Sequence, residues 1–238
     1  MAEEARAEAA FIRFSRSQRL QHILLMVSFT ALCLTGLPQR YCDADWARGL
    51  IFVMGGLDTV RLVHHLSGIM LLFQGLYHII ESVWEFVLAG PRRTAMLPRA
   101  QDVKDALGQV AYLAGIRREK PRFGRYDFRH KLEYWSVVWG TLVMAVTGLI
   151  LLFPIVATSY LPGVIVTASK VAHSYEALLA VLAVALWHFY HAHVAGESFP
   201  MDTSIFTGRI SAEKMRDEHP LEYEQLMLER VQAAAGDE

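Results

Sequence analysis

The sequence predicts an all-α integral membrane protein, a four-helix bundle with both termini in the cytoplasm. Three observations carry that prediction. Apolar residues make up 53% of the 238-residue chain. They are concentrated in four blocks, at about 20–37, 62–89, 132–153 and 164–195, each close to or above the roughly 20 residues that cross hydrocarbon. The basic residues alternate between the intervening segments. Of 23 Lys and Arg, four precede the first block, eleven lie in 90–131 and four follow residue 200, whereas 38–61 holds three and 154–170 one. Nineteen against four places both termini and the long loop on the cytoplasmic side. The same placement accounts for the basic loop, so nucleic-acid binding is not called for. No small-residue cleavage site follows the first block, and three similar blocks come after it, so it reads as a span and not as a signal peptide.

The chain holds two cysteines, Cys33 and Cys42, and no CxxC, CxxCH or Cys/His finger spacing. That excludes covalent haem attachment and a cysteine-ligated iron–sulfur cluster within this chain. A metal here would be held by histidine.

Taken in order, residues 1–14 mix charges with alanine and read as a short amphipathic or frayed start. The first span carries His22 in QRLQHILL and ends at Thr35-Gly36-Leu37-Pro38. An outer loop follows, with Trp46 as an interfacial anchor. In the second span Gly68, Leu71, Gly75 and His78 all fall within about 40° of His64 on the helix. Loop 90–131 contains Pro91, Pro98 and Pro121 and a surface helix at 101–115. The third span has no histidine in its interior, and its Thr147-Gly148-Leu149 echoes Thr35-Gly36-Leu37, which reads as a shared packing device. The fourth carries His173, His188, His191 and His193. A four-span domain over 1–200 is followed by a polar cytoplasmic tail over 201–238, where Ser211 can cap one helix and Pro220 open another.

Ionisable groups at membrane depth are costly and mark function. With both termini inside, spans two and four run in the same direction, so His64 and His173 share the outer level. His78 and His188, fourteen and fifteen residues further on, lie about 21–22 Å deeper. His22 lies at that inner level too. Five histidines at two matched depths fit bis-imidazole ligation of two b-type haems, one near each leaflet. The outer pair is His64 with His173, and His65 points about 100° away. For the inner pair, His188 has either His22 or His78 as its partner; depth alone slightly prefers His78.

R-x-x-H opens span one (Arg19, His22), T-G-L-P ends it, and H-x-x-x-G lies in span two (His64, Gly68). K-x-x-Y-W begins span three (Lys131, Tyr134, Trp135), and span four has two histidines. On these motifs the chain, over nearly all of 13–200, resembles the di-haem cytochrome b subunits of formate dehydrogenases (their gamma subunit) and of nickel–iron hydrogenases. The resemblance implies that His22 and His188 hold the inner haem and His64 and His173 the outer one; His78, which depth favours, is kept as an alternate ligand or a group beside that pair. Arg19 is placed to meet a haem propionate. The chain departs from the pattern in two places. Span four spaces its ligands by fifteen residues where fourteen is usual, which a π-bulge or local overwinding would absorb. The family's N-x-x-Q-K before span three reads Asp127-Phe128-Arg129-His130-Lys131. That segment borders the quinone pocket in relatives, which makes Asp127, His130 and Lys131 candidates for acid–base work there, against a reading as ordinary interfacial charge.

The expectation is therefore an inner-membrane, multi-pass subunit with two non-covalent haems b. It would pass electrons across the membrane between a redox partner and menaquinone or ubiquinone. The partner would be an iron–sulfur, molybdenum or tungsten dehydrogenase, hydrogenase or multihaem cytochrome subunit. The alternatives are a histidine-box di-iron oxygenase or desaturase, prompted by H-x-x-H-x-H at 188–193, and a haem-less anchor or proton-coupled transporter.

Overall fold

The computed structural model describes residues 10–89, 95–195 and 198–236. Pro91 and most of the N-terminal stretch lie outside the described residues. Among those described, strand β1 (Ala10–Ile12) leads into helix α1 (Arg16–Arg40), followed by α2 (Asp45–Val53), α3 (Leu57–Ala89) and α4 (Ala100–Leu113). Helices α5 (Phe128–Leu152), α6 (Pro154–Tyr160) and α7 (Val164–Leu182) come next. Two π-helical segments, Ala183–His188 and Tyr190–Val194, continue α7; then α8 (Ser204–Thr207), β2 (Arg209–Ser211), α9 (Ala212–Glu218) and α10 (Pro220–Gly236) complete the order. Four helices are long and apolar enough to cross a membrane: Arg16–Arg40, Leu57–Leu88, Phe128–Leu152 and Val164–Val194.

The chain divides into two compact units, Ser17–Trp84 with Ser136–Asp202, and Met1–Arg16 with Glu85–Trp135 and Thr203–Glu238. The first, the bundle unit, has the inverse of a soluble core. Its buried positions include Gln21, Ser28, Thr35, Ser67, Thr147 and Ser169, while Leu66, Phe73, Ile80, Leu149, Leu179 and Leu186 are exposed. Small and hydroxylated residues let membrane helices approach closely, and lipid takes the large apolar side chains. Three of the buried hydroxyls are satisfied within their own helices: Ser28 donates to Leu24 O at 2.8 Å, Thr35 to Ala31 O at 2.7 Å and Thr147 to Val143 O at 2.6 Å.

Three local features differ from what the sequence led one to expect. Helix α1 continues past Pro38 to Arg40, with the Tyr41 amide donating to Leu37 O at 3.0 Å. The 39–60 connection is itself helical over Asp45–Val53 and turns at Gly55 and Gly56, whose φ values of 89° and 95° favour glycine. The start of span three is fixed by Asp127, whose carboxylate accepts the Arg129 and His130 amides at 2.8 and 3.0 Å as an N-cap does.

In the second unit, the tail unit, the C-terminal residues fold back on the beginning of their own chain. β1 pairs antiparallel with β2 in the register Ala10↔Ser211, Phe11↔Ile210 and Ile12↔Arg209. Phe11, Ile210 and Met215 are buried together, with Tyr223 and Leu226 packed against them. Ser211 caps α9 by accepting the Lys214 amide at 3.2 Å, and Pro220 opens α10. Arg13 is 3% exposed and donates to Glu222 Oε2 at 3.1 Å and to Arg125 O at 2.6 Å. Arg125 in turn donates to the other Glu222 oxygen. Removing one partner of a buried ion pair strands the other charge, at a cost of about 3–5 kcal/mol. Glu222→Ala is therefore expected to release the tail, read as faster amide exchange across 209–236. Exchange at the wild-type rate would contradict this account of the tail unit.

Candidate functional site

The bundle unit brings histidines together in two places. The His64 and His173 rings face each other with centroids 6.4 Å apart and planes at 70°. The His22 and His188 rings are 6.2 Å apart at 39°. Two imidazole nitrogens each about 2 Å from a shared metal ion, plus the ring dimensions, put the centroids roughly 6 Å apart. Both pairs therefore have a spacing that would fit two imidazoles on one metal ion. All four rings are half-buried, and His65 is exposed.

The Nδ1 atoms of the first pair are engaged alike: His64 with Thr35 Oγ1 and His173 with Thr147 Oγ1, each at 2.9 Å. In the second pair, His22 Nδ1 is buried with no hydrogen-bond partner. His188 reaches its position through the π-helical segment, where the Phe189 amide donates to Val184 O, five residues back. One residue more per turn offsets the fifteen-residue spacing from His173 by rotating the chain back.

His78 is held differently. Its Nδ1 lies 2.8 Å from Gln21 Oε1, and its Nε2 is 3.5 Å from Ser82 Oγ. Gln21 Nε2 donates to Glu81 and, at 3.1 Å, to Ser17 Oγ, which is 3.0 Å from Tyr77 OH. His78 is thus part of a polar chain linking α1 to α3. Gln21 is adjacent to His22, but neither composition nor periodicity marked it. Arg19 is half-buried on α1, three residues before His22. Glu176 lies on α7 one turn beyond His173, and the Gly140 backbone is open to it: a Cβ at Gly140 would stand 2.9 Å from Glu176 Oε1. Sequence reading passed over this carboxylate, although a lone acidic residue inside an apolar block was the available signal.

The remaining sequence candidates lie in or beside the tail unit. Asp127, 3% exposed, accepts from the His130 ring Nδ1 at 2.8 Å and from the Arg129 guanidinium at 2.7 and 2.9 Å, besides the two amides. Burial by itself raises a carboxyl pKa, but the hydrogen bond from His130 and the Arg129 charge outweigh it and hold Asp127 well below the usual range. Lys131, nearly buried, donates to both carboxylate oxygens of Asp102 at 2.7 and 2.9 Å. Of the three, His130 alone has an exposed ring, with 44% of its side chain accessible. Sequence reading missed His219, whose ring centroid is 6.1 Å from that of His130. Its Nδ1 donates to Gly124 O at 2.9 Å, a bond that by itself favours the protonated form. Burial, reinforced by the nearby Arg13 charge, lowers its pKa to about 3.

Among the described residues there is no group of three or more His, Cys, Asp or Glu side chains arranged to hold a metal ion. The two facing histidine pairs are what the bundle unit offers to a metal held by two protein ligands. A four-span apolar bundle with imidazoles paired across it is the architecture of a membrane cytochrome b. The family model for prokaryotic cytochrome b561 matches residues 13–200, and the chain belongs to that family. It is a multi-pass inner-membrane protein that binds haem b. It is similar to the cytochrome b556 subunit of formate dehydrogenase from Haemophilus influenzae, at 21% identity over 94% of this chain and 87% of that one. The cytochrome b556(Fdn) subunit of the nitrate-inducible formate dehydrogenase of Escherichia coli is 22% identical over 90% of this chain and 91% of its own. The E. coli formate dehydrogenase cytochrome b556(fdo) subunit is 21% identical, over 90% and 92%.

The tail unit should weaken in acid. His219 is neutral when folded and begins to titrate at its ordinary value of about 6.5 when unfolded, so the unfolded chain takes up the proton first as pH falls. Stability is complete above that value and is lost between there and about 3, the folded value. Asp127, depressed in the fold, adds to the loss below its own ordinary range. Amide exchange in α10 should therefore quicken from pH 7 to pH 5 after correction for the intrinsic rate, and His219→Phe should flatten the dependence. A steady corrected rate in the wild type would contradict this.

Proposed function

We propose that this chain is the di-haem cytochrome b subunit of a respiratory oxidoreductase complex, carrying electrons across the membrane between a redox partner subunit and a quinone. The observation that carries the reading is the pair of facing histidine couples, with centroids 6.4 and 6.2 Å apart. His64 and His173 would hold one haem b, and His22 and His188 the other. Haem iron, when bound, supplies the one-electron chemistry. The chain supplies the ligands, keeps water from them with an apolar bundle, and sets their separation along the helices. The engagement of His78 with Gln21 and Ser82 favours His22 as the partner of His188. Arg19, one helical turn before His22, is the candidate for a propionate.

The charge alternation supports an orientation with the His64–His173 pair towards the outer face and both termini inside. At the inner side, quinone reduction or quinol oxidation exchanges protons with the cytoplasm. His130 is the group suited to that exchange. Asp127 takes its Nδ1 proton into a hydrogen bond, which leaves Nε2 as the nitrogen for that exchange. Asp127 acts as the orienting group, and Lys131, paired with Asp102, as a structural cation beside it. The names of the relatives favour a formate dehydrogenase-type partner, built on molybdenum or tungsten and iron–sulfur subunits. The charge pattern and the histidine pairs are equally compatible with a hydrogenase or multihaem cytochrome partner. No histidine box of the kind a di-iron oxygenase needs is assembled among the described residues.

Two outcomes are expected. A pyridine haemochrome assay on the detergent-purified chain should give two haems per chain, all extractable by acid-acetone; one haem, or haem retained on the protein, would overturn the stoichiometry. His22→Ala should remove one haem or turn it high-spin, while His78→Ala should keep two low-spin haems. The reverse pattern would make His78 the ligand opposite His188.

A further inference from the structure

The repeated Thr-Gly pair has a role beyond helix packing. Thr35 Oγ1 stands 2.9 Å from His64 Nδ1, and Thr147 Oγ1 stands 2.9 Å from His173 Nδ1. The hydroxyl protons are already used, since Thr35 donates to Ala31 O at 2.7 Å and Thr147 to Val143 O at 2.6 Å. A hydroxyl that has given its one proton to a backbone carbonyl can only accept at its other contact. Each imidazole must therefore donate Nδ1–H, and each Nε2 is left with its lone pair free for a metal. The following glycine completes the seat. A Cβ at Gly36 would stand 3.2 Å from His64 Cε1, and one at Gly148 would stand 3.3 Å from His173 Cε1. A side chain at either position would crowd the ring, which would have to give by a few tenths of an ångström. Span one thus seats the histidine of span two, and span three seats that of span four. The other couple has no such seat at His22, whose buried Nδ1 has no hydrogen-bond partner.

We propose that Thr35-Gly36 and Thr147-Gly148 are paired positioning devices. They fix the tautomer and ring angle of His64 and His173 and hold the haem between these two at a lower potential than it would have without the hydroxyls. An acceptor on the far nitrogen of a ligating histidine makes that ligand more basic, and outer-shell partners of this kind are worth about 10- to 100-fold in metal affinity. A more basic ligand favours the ferric state, and second-shell hydrogen bonding is one of the levers on haem potential. The inference rests on His64 and His173 being the ligands of one haem.

The test is a spectroelectrochemical titration of the purified full-length chain carrying Thr35→Val, Thr147→Val or both, with Thr→Ser at each position as the conservative control. Valine keeps the shape and removes the acceptor. The expected result is a rise in the midpoint potential of one haem, larger in the double variant, with the other haem unmoved and serine restoring the wild-type value. Haem transfer from that site to apomyoglobin should also be faster. Valine variants that leave both potentials unchanged, or move both equally, would overturn the proposal. If a valine variant loses one haem, the serine variant decides: retention supports a hydroxyl role, and loss there as well overturns it. His64→Ala serves as the separate check on the ligands. If that variant keeps two low-spin haems, the ligand assignment itself fails, whatever the threonine variants do.

Discussion

A neutral imidazole carries one donor and one acceptor, and among apolar helices both must be used or their desolvation goes uncompensated. The bundle unit answers this constraint in two ways. His78 is satisfied by protein alone, through Gln21 and Ser82. His64 and His173 are satisfied by threonine at one nitrogen only, and their rings face each other across 6.4 Å with the other nitrogen available. The histidine positions therefore govern much else in the bundle. Threonine and glycine must recur on spans one and three, and the large apolar side chains are left to face lipid.

The fourth helix shows how strongly that constraint acts. A regular α-helix carrying two histidines fifteen residues apart would turn the second about 100° further than one carrying them fourteen apart. The chain widens instead into π-helical turns over Ala183–His188 and again over Tyr190–Val194. π-turns are rare and collect at functional positions. Here they bring His188 to within 6.2 Å of the His22 ring.

Much of this was legible in the sequence, because span length, charge alternation and helical periodicity are one-dimensional signals. The four spans, the surface helix near 101–115 and the helix starts at Ser211 and Pro220 all followed from such signals. What was not legible depended on partners distant in the chain. Depth along an axis placed His78 and His22 at one level; the structure sets His22 facing His188 and His78 against Gln21 and Ser82. The Thr-Gly-Leu echo was visible as a repeat, but its meaning lies in contacts 29 and 26 residues away. The tail gave no sign that it would pair with residues 10–12, since a three-residue strand has too short a period to read. His219 became notable only once burial placed it beside Gly124 and His130.

In the proposed arrangement each facing couple would hold one iron through two imidazoles. Low-temperature electron paramagnetic resonance of the oxidised, purified chain tests it most directly. The ring planes differ, at 70° for His64–His173 and 39° for His22–His188, so two distinct low-spin ferric signals are expected. One should vanish in His173→Ala and the other in His188→Ala. A single low-spin signal in the wild type, or two that both survive either substitution, would contradict it.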